Sequence, residues 1–313
     1  MGSVTALDQL RQSLSNVTWR ETLGKEKAVV VALNAHGARI PFFCVHSLTG
    51  KATDYVPLAQ RLGPEQPLFS IQVPPANRGP DFGGQIAPLT IQTLATHYVD
   101  AITALRPTGP IALGGWSIGA IIALEMAQQL RAQERDVPLL VIIDMITTNP
   151  EFPRHTRMLR ALDTLLHSAS WLASHQLVKD GLQTQALLAR AQRKLAALKA
   201  RIRGNPVPPR EEVITDRVDV TKYPHAHAAL MEQMFDSGMT YVPARYDGAV
   251  QIYAAKSEVA LNHLSNLRWG WRHIAPNSRI KAVAGAHQTL FQGPGGDVLA
   301  AHLAGLLATL QAA

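Results

Sequence analysis

Ile111-Ala112-Leu113 runs straight into Gly114-Gly115-Trp116-Ser117-Ile118-Gly119, and an apolar helical pattern, Ile118 to Leu130, follows without a break. A strand that reverses into a helix within so few residues has no room for side chains two positions either side of its apex. Glycine at 115 and 119 is what such a turn requires. Ser117, at the apex, is then raised at the C-terminal edge of a sheet with its hydroxyl accessible. G-x-S-x-G alone reads as an inert glycine turn; with a strand before it and a helix behind, it predicts an elbow that presents a nucleophile. The amide of Ile118, first in the helix, faces the same spot and is placed to stabilise an oxyanion.

The rest of the chain supplies the sheet that such an elbow needs. Residues 1–27 read as a leader or linker with one short helical pattern (Leu7, Leu10, Leu14). Ala28 to Leu33 and Ile40 to Val45 read as strands, and the turn residues Asn34-Ala35-His36-Gly37 between them predict an antiparallel hairpin. A helix over Tyr55–Leu62, a strand over Leu68–Val73, a helix over residues 90–106 and the strand Pro110–Leu113 follow. Pro138 to Asp144 is an unbroken apolar run ending on a carboxylate, the pattern of a parallel strand covered on both faces. From 150 to 241 the alternation gives way to helical text, marked by Met158, Leu162, Leu165 and later Leu187, Ala191, Leu195. Strands resume at Val250–Ala254 and Ile280–Val283, and a last helix is expected over Asp297–Leu310. The expected organisation is an α/β core, 28–149 with 242–313, around a mostly parallel central sheet. The helical insertion, 150–241, falls at the sheet edge where active sites lie and is a candidate lid.

A serine hydroxyl needs a base to take its proton and a carboxylate to orient that base. Where such an elbow is catalytic on this kind of sheet, the chain order is serine, acid, histidine. His287, in Gly285-Ala286-His287 between the last strand and the last helix, fits that order. His263, His273 and His302 fit it less well, and His225-Ala226-His227 lacks further ligands at metal-site spacing and reads as helix-start or surface histidine. Two acids are available. Asp144 ends the strand after the elbow helix, and Glu258 follows the next strand. A carboxylate ending a buried strand is costly unless engaged, which favours Asp144. The second oxyanion amide is expected in the loop after the Ile40–Val45 strand, with Leu48 the best single choice, and His46 is expected to shape that loop.

On these segments the chain resembles the thioesterase domains of nonribosomal peptide and polyketide synthases, a branch of the α/β-hydrolase fold. The likeness is carried by Val31–Asn34, Phe42–His46, the Gly-Trp-Ser-Ile-Gly elbow, Val141–Asp144, Tyr246-Asp247-Gly248, Trp269-Gly270-Trp271, Gly285-Ala286-His287 and Val298–Ala300. It spans residue 28 to the end apart from the insertion, which varies in that family. The resemblance implies an α/β-hydrolase fold with a helical lid and an acid placed at Asp144. It also implies release of an acyl, polyketide or peptide chain from a carrier protein's phosphopantetheine thiol by hydrolysis or cyclisation. The family's oxyanion loop commonly reads His-Pro-x-Gly-Gly, whereas here it is His46-Ser47-Leu48-Thr49-Gly50. The Gly-Trp-Ser elbow is closer to terminal, product-releasing domains than to stand-alone editing thioesterases with Gly-His-Ser.

Partners follow from charge. The net charge is +7, but no nucleic-acid motif accompanies it. Between Ala186 and Arg210 there are seven cations and no carboxylate. Arg193 and Arg203 point away from the leucines at helical spacing, with Arg190 on their flank. Such a stripe is either a solvated face or a docking surface for an acidic carrier domain or the pantetheine phosphate. Serine chemistry calls for no metal or redox cofactor. No apolar run reaches membrane-spanning length, the N-terminus lacks a signal-peptide core, and the lone Cys44 excludes an internal disulfide. A cytoplasmic protein is expected. An acyl-CoA thioesterase or a carboxylesterase/lipase shares the same triad, and a non-catalytic binding module would have lost part of it.

Overall fold

The structure is a computed structural model that describes residues 29–73, 89–145, 222–256 and 270–310. Seven strands form one sheet: β1 (Val30–Asn34), β2 (Phe42–Val45), β3 (Leu68–Ile71), β4 (Ala112–Trp116), β5 (Leu140–Ile143), β6 (Val250–Ala255) and β7 (Ser278–Val283). Their spatial order is β1-β3-β2-β4-β5-β6-β7; β1 is antiparallel to β3 and every other pair is parallel. The mostly parallel α/β sheet expected from the sequence is therefore present.

The hairpin expected between β1 and β2 does not form, because β3 lies between them. β2 is buried at every position whereas β1 is half-exposed beyond its first residue. A strand covered on both faces belongs inside a sheet with a partner on each edge, and a half-exposed one suits the rim. The end of β1 is held by its own side chain instead of a tight turn: Asn34 Nδ2 donates to the carbonyls of Pro64 and Gln66, each at 2.8 Å. These carbonyls lie on the approach to β3, so the turn signal at 34–37 anchors β1 beside β3.

Alternate residues of each buried strand serve opposite faces. Phe43, Val45, Leu113 and Ile142 pack with α2 (Ile91–Leu105), α3 (Ile118–Ala132) and, through Met231 and Met234, α4 (His225–Thr240). Phe42, Cys44, Val141 and Ile143 pack with α1 (Val56–Leu62) and, after the short helix α5 (Trp271–Ile274), with α6 (Gly293–Thr309). Cys44 is a buried strand residue, and burial pushes its thiol well above the usual range. α6 starts earlier than the apolar spacing suggested, since Pro294 supplies the fixed φ and missing N–H that a first helical turn tolerates. Most of the expected insertion, residues 150–221, lies outside the described residues, as does the expected leader. Among the described residues no helix is long and apolar enough to cross a membrane.

This topology fixes where a ligand site can be. From β2 the chain moves outward to β3, then returns across β2 to β4. The helix after β2 therefore covers one face and the helix after β4 the other. Their loops diverge and open a crevice at the C-terminal ends of β2 and β4, the switch point where open α/β sheets bind ligands.

Candidate active site

Both edges of that crevice carry candidate residues. Ser117 follows β4 with φ 59° and ψ −131°, a left-handed backbone conformation that non-glycine residues rarely adopt. The neighbours show what enforces it. A Cβ on Gly115 would overlap the Gly119 carbonyl, and one on Gly119 would overlap the main-chain carbonyls of Val45 and His46. Glycine at both positions lets the elbow fold on itself and sit against β2. Ser117 N donates to the Ile143 carbonyl at 2.9 Å, which pins the apex to β5. Ile118 is the first residue of α3, so its N–H has no acceptor within the helix.

Asp144 leaves β5 in a left-handed conformation too, φ 50°, one that aspartate tolerates better than most residues. Its N–H donates to the Tyr253 carbonyl at 2.8 Å. Oδ1 accepts the Ala255 amide at 2.8 Å, and Oδ2 accepts His287 Nδ1–H at 2.7 Å. The carboxylate side chain is only 7% exposed, so these bonds offset the cost of burying it. Trp271, itself buried, donates Nε1–H to the Met145 carbonyl at 2.9 Å and braces the peptide beyond Asp144. His287 opens a short 3-10 turn, His287–Thr289, after Gly285 at φ 119°. Its ring lies 5.1 Å, centroid to centroid, from that of Trp116, the residue before Ser117. With Nδ1–H committed to Asp144, Nε2 is left as the basic nitrogen. The structure thus brings Ser117, His287 and Asp144 to one end of the sheet. Glu258 lies outside the described residues, as do Arg190, Arg193 and Arg203.

The loop after β2 forms the opposite wall. Ser47 to Gly50 is a turn closed by Gly50 N–H on the Ser47 carbonyl at 3.0 Å. The hydroxyls of Ser47 and Thr49 each donate to Asp54 Oδ2 at 2.7 Å, and Thr49 N–H donates to Ser47 Oγ at 3.2 Å. Leu48 occupies the second position of the turn, whose amide takes no part in these bonds. His46 is fully buried. Its Nδ1–H donates to the Ser47 carbonyl at 2.6 Å, and Nε2 accepts the Tyr98 hydroxyl at 2.7 Å. Burial lowers its pKa from 6.5 to about 4, assisted by the nearby His227 and opposed by the bond to Ser47. A neutral imidazole is what this donor–acceptor pairing needs.

Two residues bearing on the site were not singled out for it from the sequence. Tyr55 inserts its hydroxyl between the ends of β2 and β4, donating to the Val45 carbonyl at 2.6 Å and accepting Trp116 N–H at 2.8 Å. It therefore ties the strand before the Leu48 loop to the strand before Ser117. In the sequence it is one more apolar position at helical spacing, with nothing to set it apart from a core residue. His227, expected at a helix start or on the surface, does lie in the first turn of α4, and from there it bonds the Thr49 carbonyl. Among the described residues no cluster of three or more histidine, cysteine or carboxylate side chains is placed to hold a metal ion.

Known proteins resemble the chain in sequence and in fold. Malpibaldin synthetase of Mortierella alpina is 36% identical over 119 residues, 38% of this chain and 2% of that protein. Nonribosomal peptide synthetase btyA of Aspergillus terreus is 32% identical over 149 residues, 46% of this chain and 15% of its own length. The chain thus spans a small fraction of these curated relatives. The crystal structure of the NocB thioesterase domain from the nocardicin cluster superposes with a TM-score of 0.56 at 23% identity, covering 90% of this chain and 99% of that one, a likeness of fold. The model of the Thioesterase domain family matches residues 40–300, which include β2, the elbow, Asp144 and His287. The chain belongs to the thioesterase domain family.

Proposed function

We propose that this thioesterase releases an acyl, polyketide or peptide chain from the phosphopantetheine thiol of a carrier protein, through an ester on Ser117. The observation that carries the reading is the strained Ser117 elbow at the β2/β4 switch point with the His287–Asp144 pair beside it. His287 Nε2 takes the hydroxyl proton as Ser117 Oγ attacks the thioester carbonyl. Negative charge then develops on the carbonyl oxygen, where the amides of Ile118 and Leu48 stabilise it. Asp144 holds the imidazole in the required tautomer and stabilises the imidazolium. Collapse of the tetrahedral intermediate expels the pantetheine thiol, protonated by His287. Water, or a nucleophile within the chain itself, then attacks the Ser117 ester and releases the product. The chemistry uses side chains and amides alone, with no metal or redox cofactor.

That the curated relatives are much longer synthetases supports a carrier domain as the partner. The 150–241 insertion serves as the lid in this reading, and Arg190, Arg193 and Arg203 as its carrier-docking stripe. The test is intact-mass spectrometry of the protein incubated with a panel of pantetheine-linked acyl thioesters. Wild type should gain the mass of the acyl group on Ser117, and Ser117→Ala should neither gain it nor turn over. Turnover by Ser117→Ala near the wild-type rate would reject the nucleophile. Equal rates on carrier-linked and free acyl-CoA or oxygen-ester substrates would reject carrier dependence.

A further inference from the structure

α4 touches both walls of the crevice. Near its C-terminal end Gly238 lies against Ile118: a Cβ there would come within 2.7 Å of Ile118 Cδ1, so glycine lets the helix settle on the residue that opens α3. Near its N-terminal end His227 Nε2–H donates to the Thr49 carbonyl at 2.8 Å. The imidazole is fixed before it reaches the loop. It stacks on Tyr223, 5.3 Å between centroids and 17° between planes, and Lys51 Nζ lies 5.1 Å from the centroid of the Tyr223 ring. Gly50, at φ +73°, leaves no side chain between the turn and the ring, and a Cβ there would lie 3.5 Å from His227 Cε1.

The Ser47–Gly50 turn is closed by its own hydrogen bond, so it moves as a unit. On one side Asp54 holds the hydroxyls of Ser47 and Thr49, and Val73 N–H donates to the Gly50 carbonyl at 3.0 Å. On the other, the contact to α4 is the Thr49 carbonyl on His227. Fixing that carbonyl sets the tilt of the Thr49–Gly50 peptide and, through the closed turn, the direction of the Leu48 N–H. We infer that His227 is a positioning residue for the oxyanion hole, holding the Ser47–Gly50 turn so that the Leu48 amide faces the carbonyl attacked by Ser117. The inference rests on the serine-thioesterase reading above. It adds that an element outside the triad sets the electrostatics of the transition state.

The test compares His227→Leu, which removes the donor, with His227→Gln, whose amide nitrogen can reach the same carbonyl. The probes are an octanoyl pantetheine-mimic thioester for turnover and an alkylboronic acid, which forms a tetrahedral anion on serine. His227→Leu should lower kcat by about tenfold with KM nearly unchanged, and should weaken the boronate by a similar factor, as expected for a misaimed oxyanion donor. His227→Gln should retain most of both. The inference is overturned if His227→Leu leaves kcat and boronate affinity unchanged, if KM rises in place of a fall in kcat, or if His227→Gln is as impaired as His227→Leu. Labelling of wild type by a fluorophosphonate separates the two levels. No label on Ser117 defeats the serine reading itself, whereas a labelled wild type with indifferent His227 variants defeats only the positioning role.

Discussion

Tyr55→Phe removes one oxygen from the centre of the molecule. The ring keeps its place against Phe291, 5.5 Å between centroids, so packing is preserved and only the hydroxyl's bonds are lost. Two main-chain groups lose their partner, the Val45 carbonyl and the Trp116 amide, both bound to a phenol that is completely buried. A buried polar group left unpaired costs about 1–3 kcal/mol, and two of them, with some closing of the strand ends, cost about 2–4 kcal/mol. For a large domain each kcal/mol shifts the melting midpoint by about 2–4 °C, so a fall of roughly 4–16 °C is expected. Activity should fall as well, because the bridge joins the strand leading to Leu48 to the strand leading to Ser117. Loosening it should slow acylation by about tenfold, less than the roughly hundred- to thousand-fold lost when an oxyanion donor is removed outright. Urea unfolding and single-turnover acylation of Ser117 measure the two effects. An unfolding free energy within about 1 kcal/mol of wild type, with unchanged acylation, would refute the bridge and leave Tyr55 as an ordinary core aromatic.

The acid and the loop histidine give two further expectations. Asp144→Asn should slow acylation by about ten-thousand-fold, the size found for the equivalent change in a well-studied serine protease, whereas Glu258→Gln should change it little; the reverse ranking of single-turnover rates would move the acid to Glu258. Burial depresses the pKa of His46 in the folded protein from 6.5 to about 4, so its contribution to stability is fully present above pH 6.5 and is lost as the pH falls toward about 4. That contribution is about 3 kcal/mol at about 1.4 kcal/mol per pKa unit. Urea unfolding across this window should show wild type losing more stability than His46→Gln, and parallel curves would reject the assignment.

The sequence by itself determined most of the strands and helices and offered the residues on which the proposed chemistry rests. An apolar run such as Leu140–Ile143 reads as a strand covered on both faces, and a strand-to-helix elbow at Ser117 admits little besides glycine at positions 115 and 119. Both signals are local, held in neighbouring residues, so they can be read before anything folds. The order serine, acid, histidine along the chain was open to proposal from the sequence as well, with Asp144 and Glu258 both available as the acid. Tertiary structure decided what depends on residues distant in sequence. The turn signal at 34–37 suggested a hairpin, yet β3 separates β1 from β2, because two-sided burial of β2 demands a partner on each edge. Tyr55 lies 61 residues from Trp116 and His227 lies 178 from Thr49, and no local pattern marks either pair. A tyrosine at helical spacing looks like any core residue, and a histidine at a helix start looks like surface. Each gains its role only when a distant strand end or turn brings an unpaired main-chain group against it, since a buried N–H or C=O must be satisfied by whatever the fold places within reach.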